Sequence, residues 1–484
     1  VKSLNRARGL DLFRGGPGPP ATLAATEGRR SSETMLRSMF AGVSGSRAHQ
    51  VWMDVIGDNI ANINTPGYKA GRVTFHELLV QTIRGGGAPV QGGRGGINPM
   101  QVGLGTSLRS IDTWHTQGNI QVTEVPSDLA IDGIGFFVLS DGMRTYFTRD
   151  GSFQIGADGV LVSPATGYRV QGKPVDPATG EIDSTRPPTD IKILIGQVME
   201  AAATKNAILR GNLDSQAEVG DTVSGLLQVY DSLGLLHKLP ITFTKTADLD
   251  LDADGTPDER SWYWEVTDPL ILVPKDPADP NSEKVPKVVG KGYMVFTENG
   301  KFDPVNSALA CETESTTPGE YAYPPTFTLE PTDGSARQTV TLDVESLTQY
   351  AEPSSVSMSF QDGFPAGTLE TFAVDADGII TGIYSNGQYR TLAQVVLANF
   401  ANPGGLLRMG GGFYQVSPNS GAPIIGEPMK DGKGKIIGGA VEMSNVDLAK
   451  QFTDMIISQR GFQANSRVIT TADEMLQDLL SLKR

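Results

Sequence analysis

The side chains of this chain that could do chemistry are few, and the densest group is an acidic run. Asp250, Asp252 and Asp254 alternate before Gly255, which is the pattern of the first half of a calcium-binding loop. Such a loop needs a bidentate Glu at its twelfth position, where Ser261 stands, and strand-like segments flank the run. We therefore interpret the run as a solvated acidic hairpin tip, and we expect no metal site and no cofactor.

The other reactive side chains show no pattern typical of a catalytic or metal site. His49, His76, His115 and His237 lie far apart in the sequence, at spacings that suit no metal ion. The single cysteine, Cys311, has acidic neighbours that indicate an exposed loop, and nearby carboxylates would raise the pKa of its thiol. Because no catalytic residues group together, the sequence does not predict an enzyme.

Helices at the two ends are the clearest structural signal. Apolar residues recur at three- and four-residue steps over residues 36–60 and again over residues 448–479, as one face of an α-helix requires. Between them the chain reads as short strands separated by turns such as Asp132-Gly133. We predict a mainly β fold with terminal α-helices that pair as a coiled-coil-like layer.

Composition and charge limit the class of partner. The 484 residues include 57 Gly and 30 Pro, which suits many short strands joined by turns. Residues 173–345 carry 29 Asp and Glu against 14 Lys and Arg, and so hold the whole net charge of −15. Such an acidic surface disfavours nucleic acid and anionic lipid as partners. No apolar run approaches the roughly 20 residues that span a bilayer, and a single cysteine cannot form an intrachain disulfide.

Changes in composition divide the chain into nested parts. Residues 1–34 hold no apolar core, so we expect a disordered leader that is not a secretory signal, with Met35 as the start of the folded protein. The apolar run Thr391–Phe400 predicts a short helix. The predicted parts are a helical domain (residues 35–84 and 440–484), a flexible connector with nine glycines (85–106), a discontinuous β domain (107–172 and 346–439) and an inserted acidic β domain (173–345).

Motifs at both ends resemble the signatures of one protein family. Residues 58–69, Asp-Asn-Ile-Ala-Asn-Ile-Asn-Thr-Pro-Gly-Tyr-Lys, resemble the N-terminal signature of the axial proteins of the bacterial flagellum, which are its rod, hook and hook-associated proteins. Residues 442–448 and 459–465 resemble the C-terminal signature of the same family. Inside the chain, residues 229–234 and 393–406 look like the hook proteins within this family.

This resemblance implies a structural subunit. Hook proteins leave the cell through the flagellar type III export apparatus, without a cleaved Sec-type signal peptide, and polymerise into a curved extracellular tube. The tube acts as a universal joint between the basal-body rod and the filament in flagellar motility. The implied partners are further copies of the chain, the rod, hook cap and hook–filament junction proteins, and the export apparatus. The implied architecture is an inner layer of paired helices with β domains outside it.

The terminal helices are also the candidate site. Any surface helix shows an apolar face, so packing on the protein's own core is the ordinary interpretation. Two helices on a glycine-rich tether bury too little surface to be stable alone, which favours packing between subunits and ordering of the ends on assembly. The candidate assembly residues are Leu36, Phe40, Val43, Val51, Val55, Asn59, Ile60, Asn62, Leu448, Phe452, Met455, Phe462, Asn465, Ile469, Leu476 and Leu479.

Two other functions stay open at this point. The distal rod protein of the flagellum shares both terminal signatures, but it is typically much shorter and has no large insert. The aromatic run Trp262, Tyr263 and Trp264 would suit a secreted β-rich protein that binds or cleaves glycans. Aromatic residues at alternating strand positions are more often core than sugar platform, so this second alternative ranks lower.

Overall fold

The computed structural model describes residues 22–89, 92, 95–176, 179–183, 185–246, 260–275, 284–313, 324–330 and 334–481. The acidic run that includes Asp250, Asp252 and Asp254 lies outside these ranges. Within the described part of the chain, no helix is both long and apolar enough to cross a membrane.

Long helices occupy the two ends of the chain, as the apolar stripes predict. Helix α1 spans Thr22–Ala61, the short α2 spans Pro304–Thr313, and α3 spans Leu448–Ser481. Helices α1 and α3 pack along each other, so the ends of the chain meet. The expectation of a wholly disordered leader is wrong for residues 22–34, which belong to α1. Leu, Ala, Glu and Arg in this segment favour a helix, and no proline interrupts it after Pro20.

After α1 the chain forms a long two-stranded arm. Strands β1 and β4 pair antiparallel at its base, and β2 and β3 pair further out. The prediction of a flexible connector over residues 85–106 is therefore wrong. The two ends of this segment lie close together, and the chain after the glycines runs antiparallel to the chain before them. The spacing of apolar residues on both sides of the glycines permits this pairing. The strands are β1 (Gly71–Glu77), β2 (Val80–Arg84), β3 (Met100–Gly103) and β4 (Thr106–Thr113).

The inner β unit, residues 120–199 and 367–442, begins after the arm. Asp141-Gly142 and Asp158-Gly159 each connect two paired strands, as the Asp-Gly signals predict, whereas the strands before and after Asp132-Gly133 do not pair with each other. These strands are β5 (Ile120–Val122), β6 (Leu129–Asp132), β7 (Phe136–Ser140), β8 (Thr145–Thr148), β9 (Gln154–Ile155), β10 (Leu161–Val162), β11 (Arg169–Pro174), β12 (Thr189–Asp190) and β13 (Val198–Met199).

The outer β unit, residues 206–361, consists of two five-stranded sheets that share one core. One sheet has the order β15-β16-β17-β18-β19, and the other is built from β14 and β20 to β23. Trp262, Trp264, Phe243 and Phe327 are buried between them. The strands are β14 (Asn206–Asn212), β15 (Thr222–Tyr230), β16 (Leu236–Thr246), β17 (Ser261–Pro274), β18 (Lys284–Phe296), β19 (Phe302–Asp303), β20 (Thr326–Leu329), β21 (Gln338–Asp343), β22 (Leu347–Thr348) and β23 (Ser355–Gln361).

The chain then returns to the inner β unit and completes its sheet. The main strand order is β13-β24-β25-β26-β11-β7-β8-β29-β28, while β31 pairs with β6 and β32 with β5. The last strands before α3 therefore lie beside the first strands after the arm. The returning strands are β24 (Gly367–Val374), β25 (Ile379–Tyr384), β26 (Tyr389–Val395), β27 (Leu397–Asn399), β28 (Leu407–Gly410), β29 (Phe413–Gln415), β30 (Ile424–Gly426), β31 (Lys435–Gly438) and β32 (Ala440–Glu442).

The boundary between the two β units differs from the predicted insert of residues 173–345. Strands β12 and β13 belong to the inner sheet, whereas β22 and β23 belong to the outer one, so the chain crosses between the units near residues 200 and 365. The boundary predicted from the acidic composition is wrong because surface positions of both units carry acidic residues. A shared core defines a domain, and composition alone does not reveal which strands share one.

The predicted helix at Thr391–Phe400 is wrong, because this segment forms most of β26 and the whole of β27. Val395, Val396, Leu397 and Ala398 are all fully buried, on both faces of the sheet. A strand that is covered on both sides shows a continuous apolar run rather than alternation, and such a run cannot be told from a buried helix by periodicity.

Candidate assembly site at the paired chain ends

The turn after α1 is fixed by contact with the inner β unit. Gly67 has a φ of +68°, and its N–H donates to the carbonyl oxygen of Glu442 at 2.7 Å. A Cβ at this position would collide with the backbone nitrogen of Asp150. Glycine fits here because it tolerates a positive φ and lets the backbones approach closely. The turn thereby brings Lys69, at the end of the N-terminal signature, into the interior.

A buried charge cluster joins the N-terminal signature to the C-terminal one. The Nζ of Lys69 lies 2.6 Å from Oε1 of Glu442, and Nη1 of Arg149 lies 3.1 Å from Oε2 of the same carboxylate. The N–H of Gly118 also donates to Glu442, at 2.7 Å. The Glu442 side chain is 0% exposed. Its carboxylate accepts hydrogen bonds from three separate segments, which contain Lys69, Gly118 and Arg149. Lys69 donates a further bond to the carbonyl oxygen of Thr116 at 2.7 Å.

Burial shifts the proton equilibria around this cluster. Desolvation lowers the pKa of Lys69 and of Arg149, and in both cases the charge of Glu442 opposes the shift. Desolvation, reinforced by the positive charges of Lys69 and Arg149, lowers the pKa of His115 to about 4. His115 is therefore neutral at pH 7, and its ring packs against Phe136 at a centroid distance of 5.6 Å.

Amide side chains add a second set of bonds between the signatures. Asn59 Nδ2 donates to Oε1 of Gln451 at 3.1 Å and to the carbonyl oxygen of Gly71 at 2.9 Å. Asn445 accepts the N–H of Ala70 at 2.8 Å. These bonds tie α1 and the turn after it to the start of α3. Asn62 does not take part, because its side chain bonds locally, to Asp58 and to Thr65.

Helices α1 and α3 approach closely through small residues. A Cβ on Gly45 would lie 2.6 Å from Oδ1 of Asn465, and one on Gly461 would collide with the ring of His49. Ser458 donates to the carbonyl oxygen of His49 at 2.8 Å. The line where the two helices meet is therefore narrow and partly polar, and a large apolar side chain on it, Ile469, lies against a glycine, Gly42.

The predicted assembly residues consequently fall on different sides of the helix pair. Four of them are exposed: Phe40 (69%), Phe452 (51%), Leu448 (40%) and Phe462 (36%). Seven are half-buried: Val43, Val51, Val55, Ile60, Met455, Ile469 and Leu476. Asn59 is buried, Asn62 and Asn465 are half-buried, and the side chains of Leu36 and Leu479 lie outside the described part.

The sequence interpretation missed a second exposed apolar surface, on the arm. Leu79, Ile83, Met100 and Val102 are 42–68% exposed on β2, β3 and the residues beside them. Alternation of apolar residues on each side of the glycines was the signal that could have revealed this hairpin. A two-stranded ribbon that stands alone is marginally stable in water, so this element needs a covering surface.

The remaining chemical candidates are structural within the described residues. Cys311 is 3% exposed and lies in α2, so the prediction of an exposed loop is wrong; its neighbour Glu312 belongs to the same helix. Burial raises the pKa of its thiol. Trp262 and Trp264 are core residues rather than a glycan-binding surface. His237 pairs with Asp231 inside the outer unit, at 3.1 Å.

Comparison with known proteins agrees with this geometry. Four family models match: "Flagella basal body rod protein" over residues 39–69, "Flagellar hook protein FlgE/F/G D1 domain" over 130–205, "Flagellar basal body protein FlaE D2 domain" over 200–364 and "Flagellar basal body rod FlgEFG protein C-terminal" over 437–482.

Three curated relatives share one name. The flagellar hook proteins FlgE of Treponema pallidum and Borreliella burgdorferi are each 40% identical to this chain, over 93% of it and 100% of their own length. That of Escherichia coli is 30% identical, over 91% of this chain and 98% of its own. A solved structure of Helicobacter pylori flagellar hook protein FlgE2 aligns with a TM-score of 0.45 at 16% identity, covering 65% of this chain and 98% of that one.

The two terminal helices pair with each other, the β units are nested between them in the chain, and the two end signatures are bonded together. These features define the class of flagellar axial proteins. Within that class the relatives resolve the choice, since full-length matches at 40% identity carry a single name. The chain belongs to the flagellar hook protein family. This family consists of structural proteins rather than enzymes.

Proposed function

We propose that this chain is the structural subunit of a bacterial flagellar hook. Copies of it polymerise into a flexible curved tube, which acts as a universal joint between the basal-body rod and the filament during flagellum-dependent motility. The family membership supports this proposal, as does a fold whose two ends form one helical layer. We infer no catalytic activity, no cofactor and no calcium site for it.

The observation that carries the proposal is the exposed apolar face of the helix pair. Phe452, Ile456 and Ile457 are 51–58% exposed on α3, and Phe40 is 69% exposed on α1. Exposed apolar residues that cluster on one element mark an interaction surface. Because the contact between α1 and α3 uses small residues, these larger side chains stay available for neighbouring copies. We propose that Phe40 and Phe452, among the candidate assembly residues, act through this face.

The wider set of partners follows from the same assignment. The rod, the hook cap and the hook–filament junction proteins would contact the ends of the tube, and the type III export apparatus would deliver the chain without a cleaved Sec-type signal peptide. The protein would then lie in the extracellular part of the flagellum. We infer neither nucleic-acid binding nor membrane insertion.

The outer β unit distinguishes the hook from the distal rod, which is the alternative. Residues 206–361 form a complete two-sheet unit with its own core. The distal rod protein was considered because it shares both terminal signatures, but it typically lacks such an insert. The glycan-binding alternative loses its support, because the indole rings of Trp262 and Trp264 are buried.

A charge on the apolar face tests the proposal. The double variant Phe452→Asp and Ile456→Asp should abolish the formation of tubes of hook-like diameter, because burying two carboxylates without partners is unfavourable. Electron microscopy of the purified protein measures the outcome. The control is Gln388→Asp, an exposed polar position in the turn between β25 and β26, outside the helix pair. Tubes formed by the double variant as readily as by the wild type would contradict the proposal.

A further inference from the structure

The chain crosses between the inner and the outer β unit in two segments, residues 200–205 and 362–366. They run antiparallel, and Ala202 and Phe364 exchange two backbone hydrogen bonds of 3.0 Å. A two-stranded connection of this kind bends and twists easily unless something packs against it. The orientation of the outer unit therefore depends on contacts beside these segments.

One turn of the outer unit, Asp231–Leu235, lies beside these two segments, and we name it the wedge turn. Its shape is fixed from inside, because Oδ1 of Asp231 accepts the N–H groups of Leu233 and Leu235, both at 2.9 Å. Oδ2 of Asp231 lies 3.1 Å from Nε2 of His237, and both side chains are buried. A turn held by this many bonds has little freedom to adjust.

The tip of the wedge turn lies against both connecting segments at once. Gly234 has a φ of +86°, and a Cβ there would lie 2.9 Å from Cβ of Ala201 and 3.1 Å from Cα of Pro365. Both distances are shorter than ordinary van der Waals contact, so even one methyl group would require the segments to move. Neither atom can move by a side-chain rotation, because Cβ of Ala201 is bonded directly to the backbone and Cα of Pro365 is part of it.

A buried hydroxyl group holds the same joint together beside the wedge turn. Thr204, which is 0% exposed, accepts the N–H of Tyr230 at 2.9 Å and donates to Oε1 of Gln361 at 3.0 Å. The N–H of Gly363 donates to the same oxygen of Gln361 at 2.7 Å. The strand before the wedge turn is thus bonded to one connecting segment and, through Gln361, to the other.

We infer that the wedge turn is a mechanical stop that sets the angle between the outer and inner β units. Contact at Gly234 limits bending toward the turn, and the bonds of Thr204 limit bending away from it. In a hook subunit this stop would make the outer unit follow the rotation of the inner one. The stop itself is a property of the single chain, so its test does not depend on assembly.

The test measures the distance between the two units in the monomer. Spin labels on Met143→Cys in the inner unit (97% exposed) and Glu298→Cys in the outer unit (89% exposed) report it by electron–electron double resonance. Gly234→Ala should shift the maximum of the distance distribution. Gly220→Ala is the matched control, because Gly220 also has a positive φ, +97°, yet has open space around it.

A second variant loosens the joint without adding atoms. Thr204→Val removes the hydroxyl group at nearly constant volume, and it should broaden the distribution about the wild-type maximum. Near-ultraviolet circular dichroism from Trp262 and Trp264 confirms that the outer unit is folded. If Gly234→Ala does not fold, the width for Thr204→Val decides. A folded Gly234→Ala whose distribution superimposes on that of the wild type, or an unbroadened Thr204→Val, would overturn the inference.

Discussion

At the scale of single residues, one buried carboxylate joins the N-terminal signature to the C-terminal one. Glu442 is the last residue of β32, yet it bonds to Lys69, the last residue of the N-terminal signature, and to Arg149 in the inner β unit. A buried ion pair adds little net stability compared with apolar residues of the same size, because desolvation of the charges offsets their attraction. Removing one partner is a different matter, since it leaves buried charge uncompensated.

The variant Glu442→Gln should therefore destabilise the monomer by about 3–5 kcal/mol. Lys69 and Arg149 would then be buried together without a counter-charge. Urea unfolding, followed by far-ultraviolet circular dichroism, measures the effect. The control is Glu370→Gln, an exposed position in β24 with no role in the cluster. Equal unfolding midpoints for the two variants would mean that the cluster does not hold the ends together.

At the scale of elements, the helix pair separates two kinds of contact. Small residues such as Gly45, Ser458 and Gly461 form close contacts inside the chain, while Phe40, Phe452 and Ile456 stay exposed. The apolar stripe thus predicted the helices correctly, and whether its residues form the interface between subunits stays a prediction. Close helix contact of this kind has little tolerance for added volume, because helix backbones cannot bend around a new side chain.

Gly461→Ala should weaken the contact between α1 and α3, because its Cβ would displace the ring of His49. We expect a loss of helicity in the terminal helices and slower tube formation. Gly57→Ala in α1 is the control: nothing lies within 4 Å of the added atom, so alanine should stabilise that helix, by up to about 1 kcal/mol. Circular dichroism and light scattering of polymerisation distinguish the two. Identical behaviour would show that the helices do not meet at Gly461.

At the scale of the whole molecule, the chain forms two separate hydrophobic cores. The inner core gathers residues from both sides of the insert, such as Phe137 and Val395, whereas the outer core draws only on the insert itself. The insert leaves and returns at neighbouring positions, as the bridge between Ala202 and Phe364 shows. Such an arrangement lets the inner unit fold around a short turn in place of the outer unit.

Replacing residues 203–363 by a short glycine linker should therefore leave the inner unit folded. Its urea transition should keep the midpoint that it has in the full chain, because the two cores share few contacts. In a Trp52→Phe and Trp114→Phe background, emission from Trp262 and Trp264 follows the outer unit, and its transition should be separable from that of the inner unit. Loss of the inner transition in the shortened chain would show that the two cores fold as one.

The sequence by itself determined the local and repetitive features of this protein. Periodicity is a property of neighbouring residues, so the helices at both ends, the hairpins at Asp141-Gly142 and Asp158-Gly159 and the nested order of parts could be read from it. The two signatures, residues 58–69 and 442–448, indicated the family for the same reason. The apolar run at 391–400 could not be resolved, because a strand covered on both faces loses its alternation.

Only the tertiary structure decided what depends on contacts between distant residues. The glycine-rich segment became the outer part of a hairpin because β2 and β3 pair across it, and the domain boundary moved to the residues where the two cores separate. The cluster around Glu442 brings together Lys69 and Arg149 from segments that share no local pattern. No spacing in the sequence could predict it, because burial and charge pairing are decided where chain segments meet.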